Sequence, residues 1–194
     1  QKCVHHPARF QTQVPTALHA QRQHAAPLPP LAENLAEGIV IKPWDTATDP
    51  QGRAPLKPFD EVPQLISRTQ AIFDQLDDDL AGWFQTMQNL DLLDLANRKG
   101  KAPGGYQDSL AEARLPFIFM NSVGVQRDVE TLLHEAGHAF HTLACQDEPL
   151  HSYRHAPIEF CEVASMAMEL LGGEYLGEFY NTEEVRRARS THLE

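Results

Sequence analysis

Residues 128–144 read Asp-Val-Glu-Thr-Leu-Leu-His-Glu-Ala-Gly-His-Ala-Phe-His-Thr-Leu-Ala. Val129, Leu132, Leu133, Ala136, Ala139, Phe140 and Leu143 recur with the helical period, so one face of this segment belongs in a core. His134 and His138 lie four positions apart and share a face of that helix. Glu135 stands beside them. Two imidazoles can therefore converge on one metal ion, with a carboxylate within reach of a water at the same ion. That is the zinc-hydrolase arrangement: the metal polarises a carbonyl and acidifies a water, and the Glu accepts the proton.

A catalytic zinc usually has three protein ligands and one open position. A third His after a short Gly-containing spacer is absent, because positions three and six beyond His138 are His141 and Ala144. A glutamate from the next helix is the alternative, and Glu159, Glu162 and Glu169 all remain open on spacing alone. Glu169 reads as a group that orients a ligand from behind. His141, seven after His134, reads as a hydrogen-bonded helix histidine. His151, Tyr153 and His155 occupy the loop between the two helices, within reach of a substrate.

The surroundings are mostly helical. From Pro63 to Leu90 apolar residues step by three and four, which predicts one long amphipathic helix. Asp77, Asp78 and Asp79 read as its solvated face. Residues 97–106, with three Gly and a Pro, must be a loop, whose Gly104 and Gly105 could line a channel. Leu115 to Asn121 is short, apolar and aromatic, hence a strand, and Pro116 puts it near a sheet edge where an extended peptide could be added. Residues 145–157 form a loop, and a helix runs from Ile158 to a Gly172-Gly173 stop. Further helices are expected near Glu174 and at Thr182, the latter with Thr182 as N-cap and an acidic first turn.

Four segments in order carry a more specific signal: Lys101-Ala-Pro-Gly-Gly-Tyr106, Pro116-Phe-Ile-Phe-Met-Asn121, His134-Glu-Ala-Gly-His-Ala-Phe-His141 and Glu159-Phe-Cys-Glu-Val-Ala-Ser-Met166. Together they resemble the zinc-site half of the oligoendopeptidase F and thimet oligopeptidase family. Lys42-Pro-Trp-Asp45 and Leu56-Lys-Pro-Phe59 resemble the stretch upstream. The resemblance covers roughly residues 39–194. It implies a mainly α fold, a fragment of a helical zincin-type metallopeptidase catalytic domain with a short β-strand element at the active-site edge. It implies one zinc ion per chain held by His134, His138 and Glu162, with Glu135 as general base, and cleavage of short peptides in a narrow channel. It implies an intracellular, cytoplasmic setting. The family also carries a His and Tyr residues well downstream of its zinc ligands, and Tyr175 and Tyr180 stand too close to Glu162 to be those. A zinc-binding but inactive fragment is the alternative function.

Composition excludes other classes. A net charge of −11 argues against a generic nucleic-acid partner, and no apolar run approaches a membrane span. Cys3, Cys145 and Cys161 are odd in number and form no Cys-x-x-Cys pair, which points to a reducing compartment. No acidic residue precedes Glu33. Residues 1–38 are accordingly expected to be an atypical arm, disordered or mistranslated, and 39–194 a partial catalytic domain. The last residues read as a helix without a cap or breaker, as in a piece of a longer protein. A di-iron site from Glu135/His138 and Glu148/His151 is disfavoured, because Pro149 interrupts the second step.

Overall fold

The computed structural model describes residues 52–102 and 104–192, all within a unit that begins at Asp49. The atypical arm at 1–38 and the Lys42–Asp45 segment lie outside the described residues. Five helices and three strands follow in the order α1 (Val62–Leu76), α2 (Asp78–Asn89), β1 (Leu93–Ala96), β2 (Gly105–Leu110), β3 (Leu115–Ser122), α3 (Gln126–Ala144), α4 (Ile158–Gly173) and α5 (Thr182–His192). The fold is mainly α with a small sheet, as expected.

The single helix expected over 63–90 is two. Asp77 leaves the helix with φ −167° and ψ 138°, and its side chain accepts the backbone N–H groups of Asp79 (2.9 Å) and Leu80 (3.2 Å). Asp77, Asp78 and Asp79 are all exposed, as expected of a solvated face, but Asp77 is also the N-cap of α2, and Asp78 and Asp79 sit in the first turn, where the helix dipole favours them. The break lets α1 and α2 fold against each other. Phe73 of α1 meets Phe84 of α2 at 5.1 Å between ring centroids and Phe140 of α3 at 4.9 Å, edge to face. Leu65, Ile72 and Met87 complete this corner of the core.

The sheet order is β1-β3-β2, with β1 parallel and β2 antiparallel to β3. The strand at 115–122 is therefore central, and β2 forms an edge. Pro116 misleads because its missing donor is not called on by β1: that ladder begins at Leu93↔Ile118, where Ile118 N donates to Leu92 O at 2.9 Å. β1 and β2 were not foreseen at all. Ile118 and Met120 point into the core, against the face of α3 formed by Val129, Leu132, Ala136 and Ala139, all fully buried.

Beyond α3, residues 145–157 are a loop with one 3-10 turn at His151–Tyr153. α4 runs through Gly172 and Gly173 rather than stopping before them, and the helix expected near Glu174 is only a 3-10 turn, Leu176–Glu178. The cap of α5 is Asn181, not Thr182. Asn181 Oδ1 accepts from Glu183 N (3.0 Å) and Glu184 N (3.1 Å), while Glu184 Oε2 accepts from Asn181 N (3.1 Å) in return. No helix among the described residues is long and apolar enough to cross a membrane.

Candidate metal centre

The N-terminus of α3 is fixed by a carboxylate. Buried Asp128 accepts three backbone N–H groups, from Val123 (2.8 Å), Gly124 (2.7 Å) and Val125 (3.0 Å), through one oxygen. This satisfies donors that the turn into the helix would otherwise leave unpaired. From that anchor α3 delivers His134 and, one turn on, His138, whose Nε2 atoms stand 3.2 Å apart.

α4 supplies the opposite wall because the two helices cross at Gly137. A Cβ on Gly137 would lie 2.5 Å from Ser165 Cα and 2.9 Å from Ala164 O, so any side chain there would force the helices apart. The close crossing carries Glu162, one turn before Ser165, onto the histidine pair. Glu162 Oε2 is 3.4 Å from His134 Nε2, and Oε1 is 3.8 Å from His138 Nε2. Ser165 Oγ donates to Glu162 O (2.9 Å) and to Oε2 (3.3 Å), which steadies the carboxylate.

His134, His138 and Glu162 each offer one ligand atom, and these atoms lie within 4.8 Å of one another. Ligands about 2.0–2.1 Å from a tetrahedral zinc stand about 3.3 Å apart, so the spacings fit such an ion. The donor chemistry fits as well. Glu169 Oε1 lies 2.6 Å from His134 Nδ1. An ionised carboxylate only accepts, so Nδ1 carries the proton and the lone pair falls on Nε2, facing the cluster. Burial, reinforced by the neighbouring His134, pushes the pKa of His138 below the usual histidine value and favours the neutral, ligating form.

Glu135 is buried beside this cluster. Burial raises its carboxyl above the ordinary range, against the opposing effects of His134 and of the Gln107 backbone N–H. That donor comes from edge strand β2. Next to His134 and Glu135 opens a cavity of about 410 Å³, with Gly104, Gly105, Asn121 and Thr131 in its wall. Gly105 is held close: a Cβ there would meet Thr131 Cγ2 at 2.6 Å.

The structure thus brings together His134, Glu135, His138 and Glu162, and puts Glu169 behind His134. Glu159 is exposed in the first turn of α4 and outside the cluster. His141 also lies outside it. Glu148 and His151 sit in the loop, and among the described residues no second group of this kind occurs. Two contributors escaped the sequence reading, Gln107 and Ser165. Ser165 could have been found from its place one turn after Glu162 and opposite a glycine. Gln107 acts through its backbone, which leaves no mark on residue type.

The model of peptidase family M3 matches residues 73–191. Oligopeptidase PepF of Bacillus subtilis (strain 168) is 33% identical over 101 residues, which is 52% of this chain and 15% of that protein. The chromosomal oligoendopeptidase F of Lactococcus lactis subsp. cremoris is 30% identical over 100 residues, 52% of this chain and 16% of that protein. A solved structure of PZ peptidase A with an inhibitor superposes with a TM-score of 0.73 at 31% identity, covering 78% of this chain and 27% of that one. The matched stretch is thus about a sixth of the length of the curated relatives. The family match runs from α1 through α5, more than half of the chain, and the chain belongs to peptidase family M3.

Proposed function

We propose that this chain carries the metal-binding and proton-transfer part of a peptidase site that hydrolyses short peptides. His134, His138 and Glu162 hold one zinc ion, and Glu135 is the general base. The convergence of three ligand atoms within 4.8 Å, with a buried carboxylate beside them, is the observation that carries this reading. When bound, zinc supplies a Lewis acid that polarises the scissile carbonyl and acidifies a water.

The chain's own residues do the rest. Glu169 keeps the His134 lone pair on Nε2, and Ser165 fixes the Glu162 carboxylate. Glu135 accepts the proton of the attacking water and delivers it to the leaving amine, as base and then acid. Its upward shift brings it nearer the pKa suited to both tasks. The Gln107 N–H of the edge strand favours the ionised form of that carboxylate. The open side of β2, rather than β3, is where an extended peptide would be added as a further strand. Cys145 and Cys161 are free thiols, which supports a reducing, cytoplasmic setting.

A second reading, zinc binding without turnover, is favoured by α4. Its outer face leaves Phe160, Val163, Met166 and Leu170 more than half exposed, unlike a helix in a finished core. Incubating the chain plus zinc with a quenched-fluorescence peptide, beside Glu135→Gln, separates the two. Cleavage lost in the variant, with zinc retained, is expected for the enzyme. Equal rates in both proteins would remove the mechanism, and zinc binding with no cleavage by either would select the second reading.

A further inference from the structure

We infer that a second cavity, at the far end of the β2 edge from the first, is a subsite for a carboxylate of the bound peptide. This rests on the peptide-binding reading above. The cavity, of about 250 Å³, lies between the β2–β3 hairpin, the C-terminal end of α3 and the 145–157 loop. Arg114, His151, Arg154 and His155 line it.

Continuity with the catalytic residues is direct. Gln107, Ser109 and Thr142 form its inner wall. The Gln107 backbone N–H acts on the Glu135 carboxylate, and Thr142 Oγ1 donates to His138 O at 3.2 Å. Ser109 Oγ and Thr142 Oγ1 lie 3.2 Å apart, which closes the wall between strand and helix. Gly105, at the other end of β2, lines the first cavity. A peptide laid along the open edge of β2 therefore passes from one cavity, across Glu135, into the other.

Two arginines stand against one acid in this lining. Arg114 donates through Nη1 to Gln146 O at 3.1 Å, and Arg154 donates to Glu148 O (2.7 Å) and Pro149 O (3.2 Å). All three acceptors are backbone carbonyls. Among the described residues neither guanidinium is ion-paired, although the chain has 27 acidic residues and a net charge of −11. Among the described residues, the Nη2 and Nε of Arg114 and the Nη1 of Arg154 make no further bond. Asp108 is the one acid in the lining, and its Oδ1 is engaged by the Ser109 N–H at 2.7 Å. Arg114 is also held in place: its backbone sits at φ 56° in the hairpin turn, with its N–H donating to Leu110 O at 2.7 Å. Two fixed guanidinium groups with free N–H donors suit a carboxylate, which they can engage by charge-assisted bonds.

The carboxylate can be an Asp or Glu side chain or the peptide's own C-terminus. Fluorescein-labelled peptides test this by anisotropy, with zinc-loaded full chain carrying Glu135→Gln to prevent turnover. One pair of peptides differs as Glu against Gln, the other as C-terminal acid against amide. The expected result is a roughly tenfold tighter binding of the acidic member of one pair, the size of a charge-assisted bond; the pair that shows it names the source. Arg114→Gln should abolish most of that ratio, and Arg114→Lys, which keeps the charge and guards against a folding artefact, should restore part of it. Equal binding within both pairs, or a ratio unchanged in Arg114→Gln, overturns this subsite and leaves the peptide-site reading standing. If no peptide of any kind binds, both readings fall together.

Discussion

At the scale of single residues, the site depends on an atom that is missing. Gly137 lies between the two histidines, and the 2.5 Å approach of Ser165 Cα to its absent Cβ sets how near α4 can come. Gly137→Ala should move the helices apart, lower stability by about 1–3 kcal/mol and weaken zinc binding more than tenfold, while circular dichroism still reports the helices. Thermal melts and a zinc titration check this; unchanged zinc affinity would mean that the crossing does not position Glu162. Glu169 makes a second test, because it acts on His134 at Nδ1 and not on the ion. Glu169→Ala is expected to lower zinc affinity by about 10–100-fold, the usual effect of losing such a partner. Competition with a chromophoric chelator measures it, and an effect under twofold would count against the orienting role.

At the scale of elements, caps and tethers decide where helices and loops stop. Asp77 alone ends the run of helix at 76 and starts α2. Asp77→Ala should cost about 1 kcal/mol, read as a lowered denaturation midpoint. The loop leading to Gly104 and Gly105 is tied down by Lys101, whose ammonium donates to Asp94 O (2.9 Å), Asp94 Oδ1 (3.0 Å) and Ala96 O (2.8 Å) and stacks 4.5 Å from the Phe119 ring. A hydrogen bond from Arg98, assisted by Lys101, brings the Asp94 carboxyl down from 3.8 to about 2. A depressed folded-state pKa stabilises above the unfolded value and fades as pH falls. This tether should therefore contribute fully above about pH 4 and weaken toward pH 2, by no more than about 1 kcal/mol given its exposure. Urea denaturation of wild type and Asp94→Asn across that range checks the sign: the two should differ at pH 6 and converge near pH 2.

What the sequence disclosed at this scale follows from how each element is stabilised. α3 was legible in full, because every apolar position of its period is buried and its metal face follows from the i, i+4 rule. Glu162 was legible only through the family resemblance, since three glutamates on one helix are equivalent until Gly137 fixes the crossing. β1 and β2 were hidden for a different reason. Leu93–Ala96 spans only four residues, and β2 opens on Gly105, a residue that reads as turn. Their pairing is made by backbone groups of distant segments, which side-chain pattern records weakly. The same cause hid Gln107, and it made Pro116 look like an edge marker.

At the scale of the whole molecule, α4 stands out for the apolar residues it leaves exposed. One side, with Glu162, Ser165 and Glu169, forms a wall of the candidate metal centre. The other exposes Phe160, Val163, Met166, Leu170 and Leu171, between 47% and 67% accessible. A patch of this kind seeks apolar cover. The chain is expected to bind an environment-sensitive dye such as anilinonaphthalene sulfonate and to elute from size exclusion at a position that shifts with concentration. Phe160→Ser with Leu170→Ser should reduce both signals without loss of zinc. Dye binding equal in wild type and the double variant would place the apolar surface elsewhere.

The central claim is that α3 and α4 make one metal site, with Glu162 as the ligand from α4. Metal content after zinc loading and exhaustive dialysis tests it most directly, in wild type, Glu162→Ala and Glu159→Ala. About one zinc per chain is expected in wild type and in Glu159→Ala, and under a tenth of that in Glu162→Ala. Full zinc in Glu162→Ala, or two irons per chain in protein purified without added metal, would contradict it.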